Sequence, residues 1–388
     1  MRGWKRAALG LAAMAALVPG LAVAEEPYRI HAILPVTGYG AFIGTGEEAG
    51  LRAIEKWANS TGGIRGRPLE VVVHDDQSNP QVALQLAKQI LPEKPAVMVG
   101  PGLVAPCKAV AALLRNGPLS YCLAAATIPG DYMFSAGAPT DGLMATLIRY
   151  FRLRGWKRIA VISTTDAPGQ DGDTMIDAVM KLPENSDVRI VAHTHFTQGD
   201  MSVSAQMETM KAADPQALIG WVTGVAIASV FRGMTQAGLD LPIAVSNGNQ
   251  IASQMKQYTD FLPRQLYFPA AQWPSGATAD PKVAAIKKVF FDLCAADGLT
   301  PDLPISSVWE ATMLHITALR ALGPQATGPE VRDYVSKLKG YAGIDGVYDF
   351  PKYPKRGLGE EDTLMTRWIP DKADWVIVSK PTGIPLGN

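Results

Sequence analysis

Charge of one sign is missing in excess: 36 Lys and Arg stand against 36 Asp and Glu in the 388 residues. A nucleic-acid surface needs surplus or clustered basic side chains, so that class of partner is excluded. The small cationic cluster of Arg149, Arg152, Arg154, Lys157 and Arg158 reads as a solvated face. Long apolar runs are missing from the interior, where a membrane span would need roughly 18 residues. There is no H-E-x-x-H, C-x-x-C or G-x-S-x-G, so metalloprotease, dithiol-exchange and nucleophile-elbow chemistries lack their signatures. No catalytic residue and no cofactor are expected.

Histidine is also scarce, with five in the chain. His193 and His195 alternate in a strand and share a face. The sequence places no third ligand beside them, so they read as surface residues and no metal site is expected. His31, His74 and His315 read as isolated structural residues. Of three cysteines, Cys107 falls at the start of a helix and Cys122 in the strand after it. A disulfide between them would close a short loop, but spacing alone leaves that pairing open. Cys294 reads as a small buried apolar residue.

The first residues are of a different kind. Arg2, Lys5 and Arg6 precede an Ala/Leu-rich run over 7–18, and Ala22-Val23-Ala24 matches an A-x-A cleavage site. This is the pattern of a cleaved secretory signal over residues 1–24, and it implies export to a periplasm. Hydrophobic residues make up 47% of the chain, enough for ordinary cores, and the length suggests two domains.

The organising stretch is Arg29 to Pro80. An apolar run over 30–36 leads into a turn holding Gly38, Gly40, Gly44 and Gly46, then a helical period over 47–57 and a second apolar run over 69–73 ending at Asp75-Asp76. That is one βαβ unit, and ligands of parallel α/β sheets bind beyond the carboxyl ends of the strands. Strand and helix signals alternate to about residue 139 and restart near residue 140. Beyond Trp273 the pattern is mainly helical, and helices without strands of their own must cover an existing sheet. The fold class is α/β: two doubly wound Rossmann-like lobes joined by a multi-strand hinge. The N-terminal lobe takes 25–139 with 273–350, and the C-terminal lobe 140–272 with 351–388.

Three site readings arise from the residues. The run Gly38 to Gly44 is close to a dinucleotide fingerprint with its last glycine one residue late; export argues against nicotinamide chemistry, and the glycines equally serve a tight strand-to-helix turn. Asp75 and Asp76, adjacent in extended chain, point to opposite faces and are assigned to capping and hydrogen bonding near the hinge. Tyr39, Phe42, Tyr132, Trp221 and Trp273 fall at strand ends or crossovers, where an aromatic-walled small-molecule pocket would form.

Ile33-Leu34-Pro35-Val36-Thr37-Gly38, Asn59 to Gly66, Val73-His74-Asp75-Asp76, Asn79-Pro80, Arg158 to Ile162 with Gly169 and Gly172, Gln236-Ala237-Gly238-Leu239 and Val308-Trp309-Glu310-Ala311 recur in order. This set resembles the type I periplasmic solute-binding proteins of the leucine/isoleucine/valine-binding family. The resemblance implies a monomeric, non-enzymatic receptor that closes on a small ligand and delivers it to an ABC permease in the inner membrane. It implies that Ala125 and Thr127 hold a carboxylate, and it sets Val104 where the family has a serine. Pro168 stands at the family's tyrosine and Asn247 at its ammonium-binding acid. A buried ammonium lacking a carboxylate partner costs several kcal/mol. The expected ligand is therefore an amino acid or, with Asn247 in place, a small carboxylate without the ammonium, aromatic in view of Tyr39 and Phe42. A ligand-sensing signalling protein of the same fold and an exported dinucleotide enzyme are the alternatives.

Overall fold

The computed structural model describes residues 26–274, 278 and 280–387; the leader expected over 1–24 lies outside them. The chain begins with β1 (Tyr28–Leu34), α1 (Ala41–Ser60), β2 (Leu69–Asp75), α2 (Pro80–Ile90), β3 (Val97–Val99), α3 (Val104–Ala111), β4 (Leu119–Cys122) and β5 (Met133–Ser135). The five strands form one parallel sheet in the order β2-β1-β3-β4-β5. In β1 every residue but Arg29 is buried, as a sheet covered on both faces demands. The start of α2 is coded by its own residues. Asn79 caps α2 by accepting from the amides of Gln81 and Val82, with Pro80 in the first turn.

The second lobe opens with α4 (Thr140–Leu153). It continues through β6 (Arg158–Thr164), α5 (Ala167–Met180), β7 (Arg189–Phe196), α6 (Ser204–Ala212), β8 (Ala217–Trp221), α7 (Ile227–Ala237), β9 (Ile243–Val245), α8 (Ala252–Gln257) and β10 (Leu266–Ala271). The chain then runs through α9 (Pro281–Ala296), α10 (Leu303–Leu322), α11 (Gly328–Ser336) and the hairpin β11 (Lys339–Ala342) and β12 (Val347–Asp349). It returns to the second sheet with β13 (Thr363–Ile369) and β14 (Asp374–Ile377). That sheet has the order β14-β13-β10-β9-β8-β6-β7, with β13 antiparallel to both of its neighbours.

The late helices cover the first sheet. The rings of Trp57 on α1 and Trp309 on α10 lie 5.8 Å apart, and Nε of Arg320 donates to the carbonyl of Gly63 at 2.8 Å. Gly50 makes the close approach of α1 and α10 feasible, since a Cβ there would sit 2.8 Å from Cγ2 of Val308. The chain passes between the two sheets after β5, after β10 and after β12.

Several elements differ from the sequence expectation, each for a physical reason. The helix expected from Glu47 starts at Ala41, so Gly44 and Gly46 are helical rather than part of the turn. A Cβ at Gly44 would meet the carbonyl oxygen of Pro35 at 2.2 Å, and one at Gly46 the Cβ of Pro304 at 2.8 Å. Glycine here permits close packing of the helix, not a phosphate cradle. The glycine-bearing stretch 164–172 is likewise mostly helix, α5, and a Cβ at Gly169 would lie 1.7 Å from the carbonyl oxygen of Thr164. Two strands lay below the sequence signal. β5 has three residues, and β10 carries Pro269, a residue that argues against a central strand. The proline is tolerated because β9 pairs only with Leu266 and Tyr267, leaving Pro269 beside β13 alone.

Asp75 and Asp76 diverge as expected. The half-exposed Asp75 accepts from the Thr37 hydroxyl at 2.7 Å and the Gln77 amide at 2.9 Å, and the buried Asp76 accepts from the Ser78 amide at 2.8 Å. Cys107 and Cys122 are joined by a disulfide with a Cα–Cα distance of 5.7 Å, tying α3 to β4, and Cys294 is free and buried. His31 and His74 are not isolated, because β1 and β2 pair and bring their rings within 3.0 Å, Nδ1 to Nε2.

Candidate functional site

A cavity of about 70 Å³ lies between the lobes, where the carboxyl ends of strands from both sheets face each other. From the first lobe come the segment Gly102-Leu103-Val104 after β3 and Leu123 to Ala126 after β4, with Ile43 and Glu47 of α1 and Leu303, Pro304 and Ser307 of α10. From the second come Thr140, Pro168 and Asp171, Trp221 and Thr223 after β8, and Ser246-Asn247-Gly248 after β9. The walls are mostly apolar, with a few polar groups among them, the usual make-up of a small-solute site.

The β3 side is suited to an anion. α3 begins at Val104 with no side-chain cap, so its first amides are without intrahelical partners and carry the positive end of the helix dipole. The neighbouring β4 loop is held by Arg356, whose buried guanidinium donates to the carbonyls of Ala125 at 2.8 Å, Ala126 at 3.2 Å and Gly137 at 3.1 Å. Burial lowers its pKa to about 10.

Two carboxyl groups also reach the lining. Glu47 is fully buried, and its Oε2 has no hydrogen-bond partner. It sits against Gly102, where a Cβ would be 2.6 Å from that oxygen. Burial pushes the Glu47 carboxyl well above the usual carboxylate range, with Asp76 and Asp302 adding to the effect. Asp171 on α5 is raised by burial too, offset by a hydrogen bond from Thr140 and by the charges of Lys108 and Arg356. A cationic ligand group would have a counter-charge at either.

Of the residues singled out in the sequence, Val104, Ala125, Pro168, Trp221 and Asn247 line this one cavity. Tyr39 and Phe42 are not in its lining. They seal the seam beside it, in a cluster with Ile43, Leu103 and Ile251, and the Phe42 ring meets Tyr258 edge-on at 6.1 Å. Among the five aromatics expected at the pocket, Trp221 does wall the cavity, and Tyr132 and Trp273 do not. Thr127 lines a separate opening of about 500 Å³ with Pro139, Asp141, Lys352 and Arg356. Sequence reasoning placed Glu47 at the start of the helical period over 47–57 and gave neither it nor Asp171 a role, because nothing in the spacing shows that α1 and α5, from different lobes, turn these carboxyls into one space. With α1 correctly started at Ala41, Glu47 falls one helical turn after Ile43, on the same face.

The lobes touch around the cavity. The Leu303 amide donates to the Gln250 carbonyl at 3.0 Å, and the Ala252 amide to Asp302 Oδ2 at 3.2 Å. Among the described residues, no helix is long and apolar enough to cross a membrane.

The family model described as periplasmic binding protein matches residues 27–373. The leucine-, isoleucine-, valine-, threonine- and alanine-binding protein of Pseudomonas aeruginosa is 25% identical over 248 residues, covering 62% of this chain and 65% of that protein. The match thus spans just under two thirds of that relative's length. An extracellular ligand-binding receptor of Rhodopseudomonas palustris superposes with a TM-score of 0.79 at 19% identity, covering 91% of this chain and 100% of its own. The branched-chain amino acid transporter substrate binding protein of Streptococcus pneumoniae, solved in complex with isoleucine, gives a TM-score of 0.75 at 18% identity over 91% of this chain and 99% of its own.

Proposed function

This chain belongs to the periplasmic binding protein family, with the type I fold of its leucine/isoleucine/valine-binding relatives, and we propose that it captures a small amino acid between its two lobes in the periplasm and hands it to an ABC permease. Members of the family bind substrates and do not transform them. The lobes of this reading are 25–139 with 273–350, and 140–272 with 351–388, and the chain acts as a monomer.

The observation that carries the ligand class is the convergence of Glu47 and Asp171 on one cavity. An ammonium-free acid leaves Glu47 Oε2 without a partner, whereas a zwitterion sets its carboxylate at the uncapped start of α3 and its ammonium toward an acid. Asn247 in place of the relatives' acid is then no obstacle, because the counter-charge comes from other elements. The side chain of the ligand would lie against Leu103, Val104, Leu123 and Trp221. Closure follows because contacts from both lobes exist only in the shut state, so the ligand's differential affinity draws the equilibrium toward it.

Titration calorimetry with pairs that differ only in the amino group tests this: alanine against propionate, leucine against 4-methylpentanoate. Heat is expected for the amino acids alone. Binding of the deaminated acids with equal affinity would overturn the assignment of an ammonium to this cavity.

A further inference from the structure

On the outer edge of the second sheet, β7 presents His193 and His195 on one face, with rings stacked at 4.7 Å and 25°. The third group that the sequence did not place beside them comes from α5. Asp173 Oδ1 lies 2.9 Å from Nε2 of His193, and its Oδ2 lies 2.9 Å from Nε2 of His195. The three potential donor atoms fall within 4.8 Å of one another. We propose that Asp173, His193 and His195 form a binding site for a divalent transition-metal ion, zinc being the best match, separate from the solute cavity.

Geometry and donor chemistry carry the proposal. Both imidazoles turn the same nitrogen, Nε2, to one point, and a carboxylate faces them across it. Ser163, buried on β6, donates its hydroxyl to Asp173 Oδ1 at 2.7 Å. This is the outer-shell contact that fixes a ligating carboxylate. A lone aspartate in need of a partner would be satisfied by Ser163 and one histidine; the second imidazole, two residues along the same strand, completes a two-nitrogen, one-oxygen set. That set suits zinc, which takes three protein ligands and a water in tetrahedral geometry. The His195 side chain is 45% exposed, so the water position is open to solvent. On binding, the neutral imidazoles carry their protons on Nδ1 and offer Nε2 lone pairs to the metal, and the carboxylate replaces two hydrogen bonds with one coordinate bond. The bound ion would clamp α5, the helix that also carries Pro168 and Asp171, to β7.

The test uses the full-length protein freed of metal with a chelator and titrated with zinc chloride in a calorimeter. One ion per chain is expected, with affinity at least tenfold weaker in His193→Ala, in His195→Ala and in Asp173→Asn. His74→Ala, which alters the other histidine pair, is expected to bind as the wild type does. Cobalt(II) gives a second readout: visible ligand-field absorption of a tetrahedral site in the wild type, absent from the His195→Ala protein. Far-ultraviolet circular dichroism reports whether each variant is folded, and any one folded variant suffices. No zinc binding at millimolar concentration, or equal affinity in wild type and His195→Ala, would overturn the proposal.

Discussion

The main-chain amide of Val225, which follows β8 in the second lobe, donates to the main-chain carbonyl of Tyr39, which follows β1 in the first, at 3.3 Å. This bond joins the lobes at the seam that Tyr39 and Phe42 seal. Gly224 is what lets the chains meet: its φ is +82°, and a Cβ there would stand 2.5 Å from the Tyr39 carbonyl oxygen.

Gly224→Val should therefore prop the lobes apart. Ligand affinity should fall at least tenfold, and the urea midpoint should fall too, since valine at a φ of +82° carries roughly 1–3 kcal/mol of backbone strain. Calorimetry and small-angle scattering check this together, the variant scattering as a more open particle with ligand present. Wild-type affinity in the variant would mean that the seam does not limit closure.

Glu47 should couple binding to proton release. Without ligand, burial raises its carboxyl well above the usual carboxylate range, with Asp76 and Asp302 adding to the effect, and so favours the protonated form. An arriving ammonium favours the ionised form, so the proton leaves. Calorimetry in two buffers of different ionisation enthalpy should show up to one proton released per amino acid bound by the wild type and none by Glu47→Gln. Affinity in that variant should fall on the order of tenfold or more.

The Cys107–Cys122 bond spans 15 residues. Closing a loop of that length in the unfolded chain contributes ~3 kcal/mol. The double replacement Cys107→Ser with Cys122→Ser should lower stability by roughly that amount, read as a shift in the urea midpoint. The wild type under reducing conditions should approach the variant. Coincident curves for variant and oxidised wild type would refute the effect.

His315 is buried on α10 beside Tyr121, 5.1 Å ring to ring, and burial lowers its pKa from 6.5 to about 3. Below the higher value the unfolded state takes up a proton that the folded state refuses. This contribution to stability is intact above pH 6.5 and is lost as pH falls toward 3, at roughly 1.4 kcal/mol per pH unit. Compared with the wild type, His315→Leu should lose less stability between pH 6.5 and pH 4, as measured by urea unfolding at each pH. Parallel curves for the two proteins would contradict the assignment.

Much of the architecture is legible in the sequence. The apolar runs over 217–221, 243–245 and 363–369 and the helical period over 281–296 set the limits of β8, β9, β13 and α9, because runs bounded by turn residues leave few alternatives. Gly44, Gly46, Gly169 and Gly172 are helical, yet a helical glycine pressed against a neighbouring backbone or side chain looks, in sequence, like a glycine in a turn. At Gly172 a Cβ would lie 2.0 Å from Cδ1 of Trp221, a constraint imposed by a residue 49 positions away in the chain.

What the sequence determined alone was the alternation of strand and helix, the two-lobed α/β class and the family, all of which rest on local periodicity and on ordered short motifs. What only the tertiary structure decided was which side chains share a space. Glu47 and Asp171 lie 124 positions apart, and Asp173 reaches two histidines from a separate helix. Such meetings depend on strand order and on the angle at which helices cross the sheets, and neither is written in the spacing of residues along one segment.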